Sequence, residues 1–182
     1  MILEETDLPG VLIVVSPVHR DTRGFFTETF HEARFAELGL PLHFAQDNHS
    51  RSSFNVLRGL HYQLVDPQGK LVRPARGIIF DVAVDLRRSS PNFGKWVGTT
   101  LEAGDSRQLW IPPGFAHGFV VLSDVADVTY KCTTPYHAES NRCLRWDDPD
   151  LGIRWPIPHG VQPILSASDV AAPPLSAAEC YA

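Results

Sequence analysis

The chain has 182 residues, 43% of them hydrophobic, enough to bury one sizeable core and too few to suggest two independent ones. Its 21 acidic and 16 basic side chains give a formal charge of -5, which excludes a broad basic surface for nucleic acid and leaves local arginines to hold any small anion. No apolar run approaches membrane-spanning length, the opening MILEETDLPG lacks the basic start and apolar run of a secretory signal, and Cys132, Cys143 and Cys180 show no CxxC spacing. These features predict a reduced, cytoplasmic protein without a disulfide framework or a zinc site, and with no membrane partner.

In chain order, strands are predicted at Val11 to Val15 and Gly24 to Phe30, a helix over His31 to Leu38 ended by Gly39, then strands at Phe44 to Ser50 and Val56 to Gln63. The run Ile78 to Leu86 alternates Ile78, Phe80, Val82, Val84 and Leu86 with Ile79, Asp81, Ala83 and Asp85, the period of a half-buried strand, and stops at the turn RRSSPNFG. Further strands are predicted at Trp96 to Glu102, Gln108 to Ile111, Gly118 to Leu122 and Val125 to Thr133. The fifteen prolines and thirteen glycines are scattered between these runs, and there is no internal repeat. Many short strands with almost no helix predict an all-β fold, an antiparallel sandwich or jelly roll, in one domain over 1–182. The Pro-, Ala- and Ser-rich stretch 156–182 reads as a peripheral tail wrapped around the outside.

Alternation in the last of these strands puts Ala126, Val128, Tyr130 and Cys132 on one face, so Tyr130 is predicted to point into the barrel. A core tyrosine bonded to a backbone carbonyl has the same pattern. His61, in Arg58-Gly59-Leu60-His61-Tyr62-Gln63, shares a face with Leu57, Gly59 and Gln63 and also looks inward, as either a base or a hydrogen-bonded structural residue. Strict alternation puts Arg58 on the other face, and only a bulge or a strand end would bring both to one pocket.

The segment Pro112 to Phe119 has the form PxGxxH and resembles the second motif of the cupin superfamily, many members of which bind a metal through an HxH pair, an acid and this later histidine. Here the first motif reads His61-Tyr62-Gln63, which leaves His61 and His117 without a third ligand, so no metal is predicted and the inward histidine is free for proton transfer. Further segments narrow the resemblance: Asp21 to Glu28, Gln46 to Ser50, Val56 to Gln63, Gln68 to Val72, Asp81 to Arg87, Tyr130-Lys131 and Trp146 to Pro149. In this order and spacing, from about residue 3 to residue 170, they are similar to the dTDP-4-dehydrorhamnose 3,5-epimerase family.

That resemblance implies a cupin-type antiparallel jelly roll and cofactor-free epimerisation of a dTDP-4-keto-6-deoxyhexose. It also implies a homodimer with shared active sites. By resemblance His61 is the base, Asp169 the carboxylate that orients it, Tyr130 the acid on the opposite side, and Lys70 the group that neutralises charge on the C4 oxygen. Arg23, Phe26, Glu28, Gln46, Asn48, Arg58, His117 and Tyr136 correspond to residues that hold sugar, diphosphate and thymidine, with part of the Arg23 to Glu28 segment supplied by the partner subunit. Two positions depart from the pattern: Asn141 stands where the family carries a glutamate five residues before Trp146, with Glu139 nearby, and Ser168 stands where it carries a lysine beside Asp169. Both fall near the ligand-binding end and bear on double against single epimerisation, as in antibiotic deoxysugar pathways. A metal-dependent cupin enzyme and a noncatalytic sugar-nucleotide-binding barrel are the remaining alternatives.

Overall fold

A computed structural model describes residues 1–182. The strands are β1 (Ile2–Glu5), β2 (Leu12–Val15), β3 (Val18–Asp21), β4 (Gly24–Thr27), β5 (Gln46–Ser53), β6 (Leu57–Gln63), β7 (Lys70–Arg76), β8 (Ile78–Asp85), β9 (Trp96–Glu102), β10 (Arg107–Ile111), β11 (Phe115–Val121), β12 (Val125–Cys132) and β13 (Asn141–Cys143). The helices are α1 (Glu32–Glu37) and α2 (Ala167–Val170). An antiparallel six-stranded sheet in the order β1-β2-β10-β7-β12-β5 faces a five-stranded one in the order β13-β6-β11-β8-β9, while β3 and β4 form a separate hairpin. This is the all-β jelly roll anticipated from the strand spacing. No helix is long and apolar enough to cross a membrane.

The core lies between the sheets, where Ile13, Val72, Leu109, Ala126 and Val128 from one meet Ile79, Ala83, Leu101, Phe115, Phe119 and Val121 from the other. The outer face of the six-stranded sheet packs Val14, Leu71 and Trp110 against Phe35 of α1 and Leu40. The outer face of the five-stranded sheet presents Leu60, Tyr62, Val82, Val84 and Leu86, and is covered by Leu144, Leu151, Trp155 and the last residues to Tyr181. Tyr62 donates its hydroxyl to the Glu179 carbonyl, and Tyr181 returns one to the Gln63 carbonyl.

That cover corrects one expectation: β8 is buried on both faces, because the apolar set beginning at Ile78 lies under the C-terminal segment while Ile79, Asp81 and Ala83 face the interior. The strand β7 was not anticipated because Lys70, Arg73 and Pro74 break its pattern. Pro74 is tolerated inside a sheet because the β7 and β12 register shifts there, so a missing donor falls at an irregularity. The predicted helix appears as α1, with His31 as its N-cap and Gly39 at φ +69 just beyond it.

A second irregularity shapes the interior. His117 pairs with His61 and Phe119 with Arg58, so Gly118 on β11 opposes both Gly59 and Leu60 on β6, a bulge. The extra residue turns Arg58 to the same side as His61, which strict alternation would forbid. Gly59 sits in this bulge at φ +131, and a Cβ there would come 2.5 Å from the Gly118 Cα and 2.9 Å from the His117 carbonyl. Gly59→Ala should therefore destabilise the fold by about 2 kcal/mol or more, read from urea or thermal midpoints. A change of only a few tenths would show that the bulge does not need a glycine.

Candidate active site

Four strands and α2 bring chemistry to one end of the sandwich. On β12 the inward face carries Ala126, Val128, Tyr130 and Cys132, and on β7 Lys70 is in phase with inward Val72. These two strands form one wall. The opposite wall is β11 and β6, where His117 and His61 stand side by side and the bulge adds Arg58. Ser50, Arg58, His61, Lys70, His117, Phe119 and Tyr130 enclose a cavity of about 250 Å³. A wider opening of about 460 Å³ shares Arg58 and His61 with it and adds Tyr136, Asn141, Ser166, Ser168 and Asp169.

His61 Nε2 lies 2.7 Å from Asp169 Oδ1. The carboxylate is 2% exposed, and the first turn of α2 holds it in place. Ser166 caps the helix, donating its hydroxyl to Asp169 Oδ2 at 2.6 Å and accepting the Asp169 N–H at 3.2 Å. Burial would raise the Asp169 pKa, but the bonds from His61 and Ser166 outweigh it and hold the carboxyl at about 2. Cys143, the register partner of His61 on β13, points its thiol at the same Asp169 oxygen at 3.5 Å. Burial and the nearby carboxylate push that thiol up to about 12, so it stands as a neutral donor.

A second histidine and acid sit deeper. His117 Nε2 is 2.7 Å from Asp81 Oδ1, both are buried, and Asp81 Oδ2 has no partner. Burial pushes the His117 pKa down despite Asp81. Asp81 is not among the predicted site residues, because the period of a half-buried strand does not say which of its two alternating sets faces the interior. An acid in phase with Ala83 on an otherwise apolar strand was the available signal. Lys70 is buried, with its Nζ 3.5 Å from the His61 carbonyl as a single long bond, and burial lowers its pKa. Burial raises that of Tyr130, with Arg58 opposing, so the phenol stays protonated at neutral pH.

The cupin metal set does not fit these residues. The His61 and His117 Nε2 atoms are turned to different carboxylates, Asp169 and Asp81, so the two imidazoles do not converge on one ion. The Gln63 amide donates to the carbonyls of Asp66 and Pro135 and accepts the His137 N–H.

Of the remaining predicted residues, Arg58 donates to Ser52 Oγ at 2.9 Å beside the cavity, and Tyr136 stands exposed at its mouth. Gln46 accepts the Tyr136 N–H and donates to Asn48, which reaches Cys132 Sγ. Arg23, Phe26 and Glu28 are not brought together with them. They belong to the β3–β4 hairpin and the residue after it, Arg23 paired with Asp21 and Glu28 with Arg34, and none lines the cavity of its own chain.

A sequence profile described as dTDP-4-dehydrorhamnose 3,5-epimerase matches residues 5–177. The chain belongs to the dTDP-4-dehydrorhamnose 3,5-epimerase family. A curated member from Pseudomonas aeruginosa is 51% identical over 175 residues, covering 96% of each chain. Among solved structures, the dTDP-6-deoxy-D-glucose-3,5-epimerase of Legionella pneumophila, crystallised with dTDP-4-keto-L-rhamnose, superposes with a TM-score of 0.93 at 49% identity, covering 98% of this chain and 94% of that one. A 4-keto-6-deoxy sugar epimerase from the novobiocin gene cluster of Streptomyces spheroides gives 0.91 at 38% identity, covering 97% and 88%.

The geometry of Asp169 makes a pH prediction. Its folded pKa lies below its unfolded one, so its contribution to stability is full above about pH 4 and fades as pH falls through about 2. Asp169→Asn should cost about 1 to 2 kcal/mol at neutral pH, and the gap from the parent should narrow towards pH 2. A gap that stays constant with pH would contradict the bonding described.

Proposed function

We propose that this chain is a cytoplasmic epimerase that converts dTDP-4-dehydro-6-deoxy-D-glucose to dTDP-4-dehydro-L-rhamnose, inverting C3 and C5. The observation that carries this reading is the His61–Asp169 pair on one wall of a small cavity, with Tyr130 and Lys70 on the other. The C4 ketone of the sugar acidifies the protons on its two neighbours, so the ketone itself is the electron sink and no redox or metal step is needed. His61 removes a proton, and the Asp169 carboxylate stabilises the imidazolium that forms. Lys70, with one long protein contact, gains most when negative charge grows on the C4 oxygen. Tyr130, kept as a phenol, returns a proton from the opposite wall and so inverts the centre.

Arg58 at the cavity mouth suits the diphosphate, and Tyr136, Gln46, Asn48 and His117 suit the nucleoside and sugar. In a homodimer the hairpin of one protomer would complete the site of its partner with Arg23, Phe26 and Glu28. Phe26 is 68% exposed on that hairpin, and an apolar ring left in solvent supports such a role. A second reading, inversion at one centre only, is favoured by Asn141 and Ser168 lining the opening in place of the family's glutamate and lysine.

Two variants test the roles. His61→Ala should lower exchange of substrate protons with heavy water by roughly 100- to 10,000-fold. A drop of a few-fold would make His61 structural. Tyr130→Phe keeps the ring and removes the donor, so exchange should persist while formation of inverted product falls by about two powers of ten or more. A tyrosine with only a packing role would cost about 1 kcal/mol of stability and leave the ratio of inversion to exchange unchanged.

A further inference from the structure

One feature beside the proton-transfer pair plays no part in the mechanism: Cys143. Its Sγ, a ring nitrogen of His61 and a carboxylate oxygen of Asp169 lie within 4.8 Å of one another. They come from three elements, since β13 sets Cys143 opposite His61 on β6 and α2 supplies Asp169 from the far end of the chain. Thiolate, imidazole and carboxylate form the donor mixture that zinc takes, and no CxxC spacing is needed when tertiary structure assembles it. Around a tetrahedral zinc such donors stand about 3.3 to 3.6 Å apart. Here the two bonded separations are 2.7 Å and 3.5 Å and none of the three exceeds 4.8 Å, so ångström-scale shifts of these side chains admit the ion. His61 is about one-third exposed and lines the opening with Asp169, which gives an ion a route from solvent.

We propose that His61, Cys143 and Asp169 form an inhibitory zinc site that switches off the proton-transfer pair. These donors differ from the cupin metal set, and a metal here opposes the reaction. In the free enzyme the Asp169 carboxylate keeps the imidazole proton on Nε2, leaving Nδ1 to act as base. Zinc on Nε2 takes the place of that proton. The Cys143 proton goes to solvent, the imidazole proton moves to Nδ1, and the nitrogen that would accept the substrate proton is blocked. Ser166 and the first turn of α2 hold the carboxylate ready for the ion as they do for the histidine.

The inhibitory part rests on the epimerase reading, and the test separates the two. Cobalt(II) is titrated into metal-free full-length protein while the near-ultraviolet thiolate-to-cobalt charge-transfer band is followed. Zinc is then titrated into the heavy-water exchange assay. The parent should show the band at one cobalt per chain and lose exchange with zinc, and a chelator should restore it. Cys143→Ser, and Cys143→Ala as a second variant, should lack the band although Cys132 and Cys180 remain. Each variant, referred to its own zinc-free rate, should need at least about tenfold more zinc for half inhibition, the loss that removing even an outer partner of a metal ligand brings. No band in the parent, or undiminished zinc sensitivity in both variants, would overturn the site. A normal cobalt band in a protein that never exchanges substrate protons would uphold the site and overturn the epimerase reading.

Discussion

The 2.7 Å contact between His61 and Asp169 is the constraint on which the site depends, because it joins residues 108 positions apart and ties the five-stranded sheet to the C-terminal segment. The segment can reach that point because it covers the outer face of the same sheet, where burying each large apolar side chain contributes about 1.5 to 3 kcal/mol. Residues from Leu144 to Tyr181 thus serve two ends. They complete a second core over Leu60, Tyr62 and Val82, and they place the first turn of α2 behind the histidine. A carboxylate held at about 2 remains charged at any physiological pH and is a steady support for an imidazolium.

The other side chains of the cavity divide between the two sheets by simple alternation and one departure from it. Lys70 and Tyr130 face inward because they are in phase with Val72 and Val128. His61 and Arg58 face inward together because the β6 bulge supplies an extra residue, and Gly59 and Gly118 let the two backbones approach at that point. The result is a cavity whose titratable groups are pushed in different directions by burial and by their hydrogen bonds. The tyrosine is kept protonated, the lysine is left short of partners, and the acid behind the histidine is kept ionised. Such separation lets one site remove a proton and return another at the same pH.

Much of this architecture was legible in the sequence. The inward face of β12, the span of β9 and the capped helix α1 follow from period, turn residues and helix stops, because each is decided locally. The ordered motifs pointed to the family without any coordinates. What could not be read depends on distant partners. The strand β13 is three residues long and exists by pairing with β6, and α2 is a single turn whose Ser166 cap gains meaning from the histidine it supports. Asp81 could not be placed in the interior from the sequence, because nothing in residues 78–86 reveals that a segment starting about sixty positions later buries the opposite face. Alternation showed that a bulge or a strand end was needed if Arg58 and His61 share a pocket, but that it is a bulge, and that it lies at Gly59, required the register with β11.

The central claim is that this cavity exchanges protons on both sides of a sugar ketone. The most direct measurement is NMR of dTDP-4-dehydro-6-deoxy-D-glucose turned over by the unmodified protein in heavy water. The account predicts deuterium at both C3 and C5 of a product with the L-rhamno configuration. Deuterium at one carbon only would replace it with single-centre epimerisation, and no solvent deuterium at either carbon would contradict it.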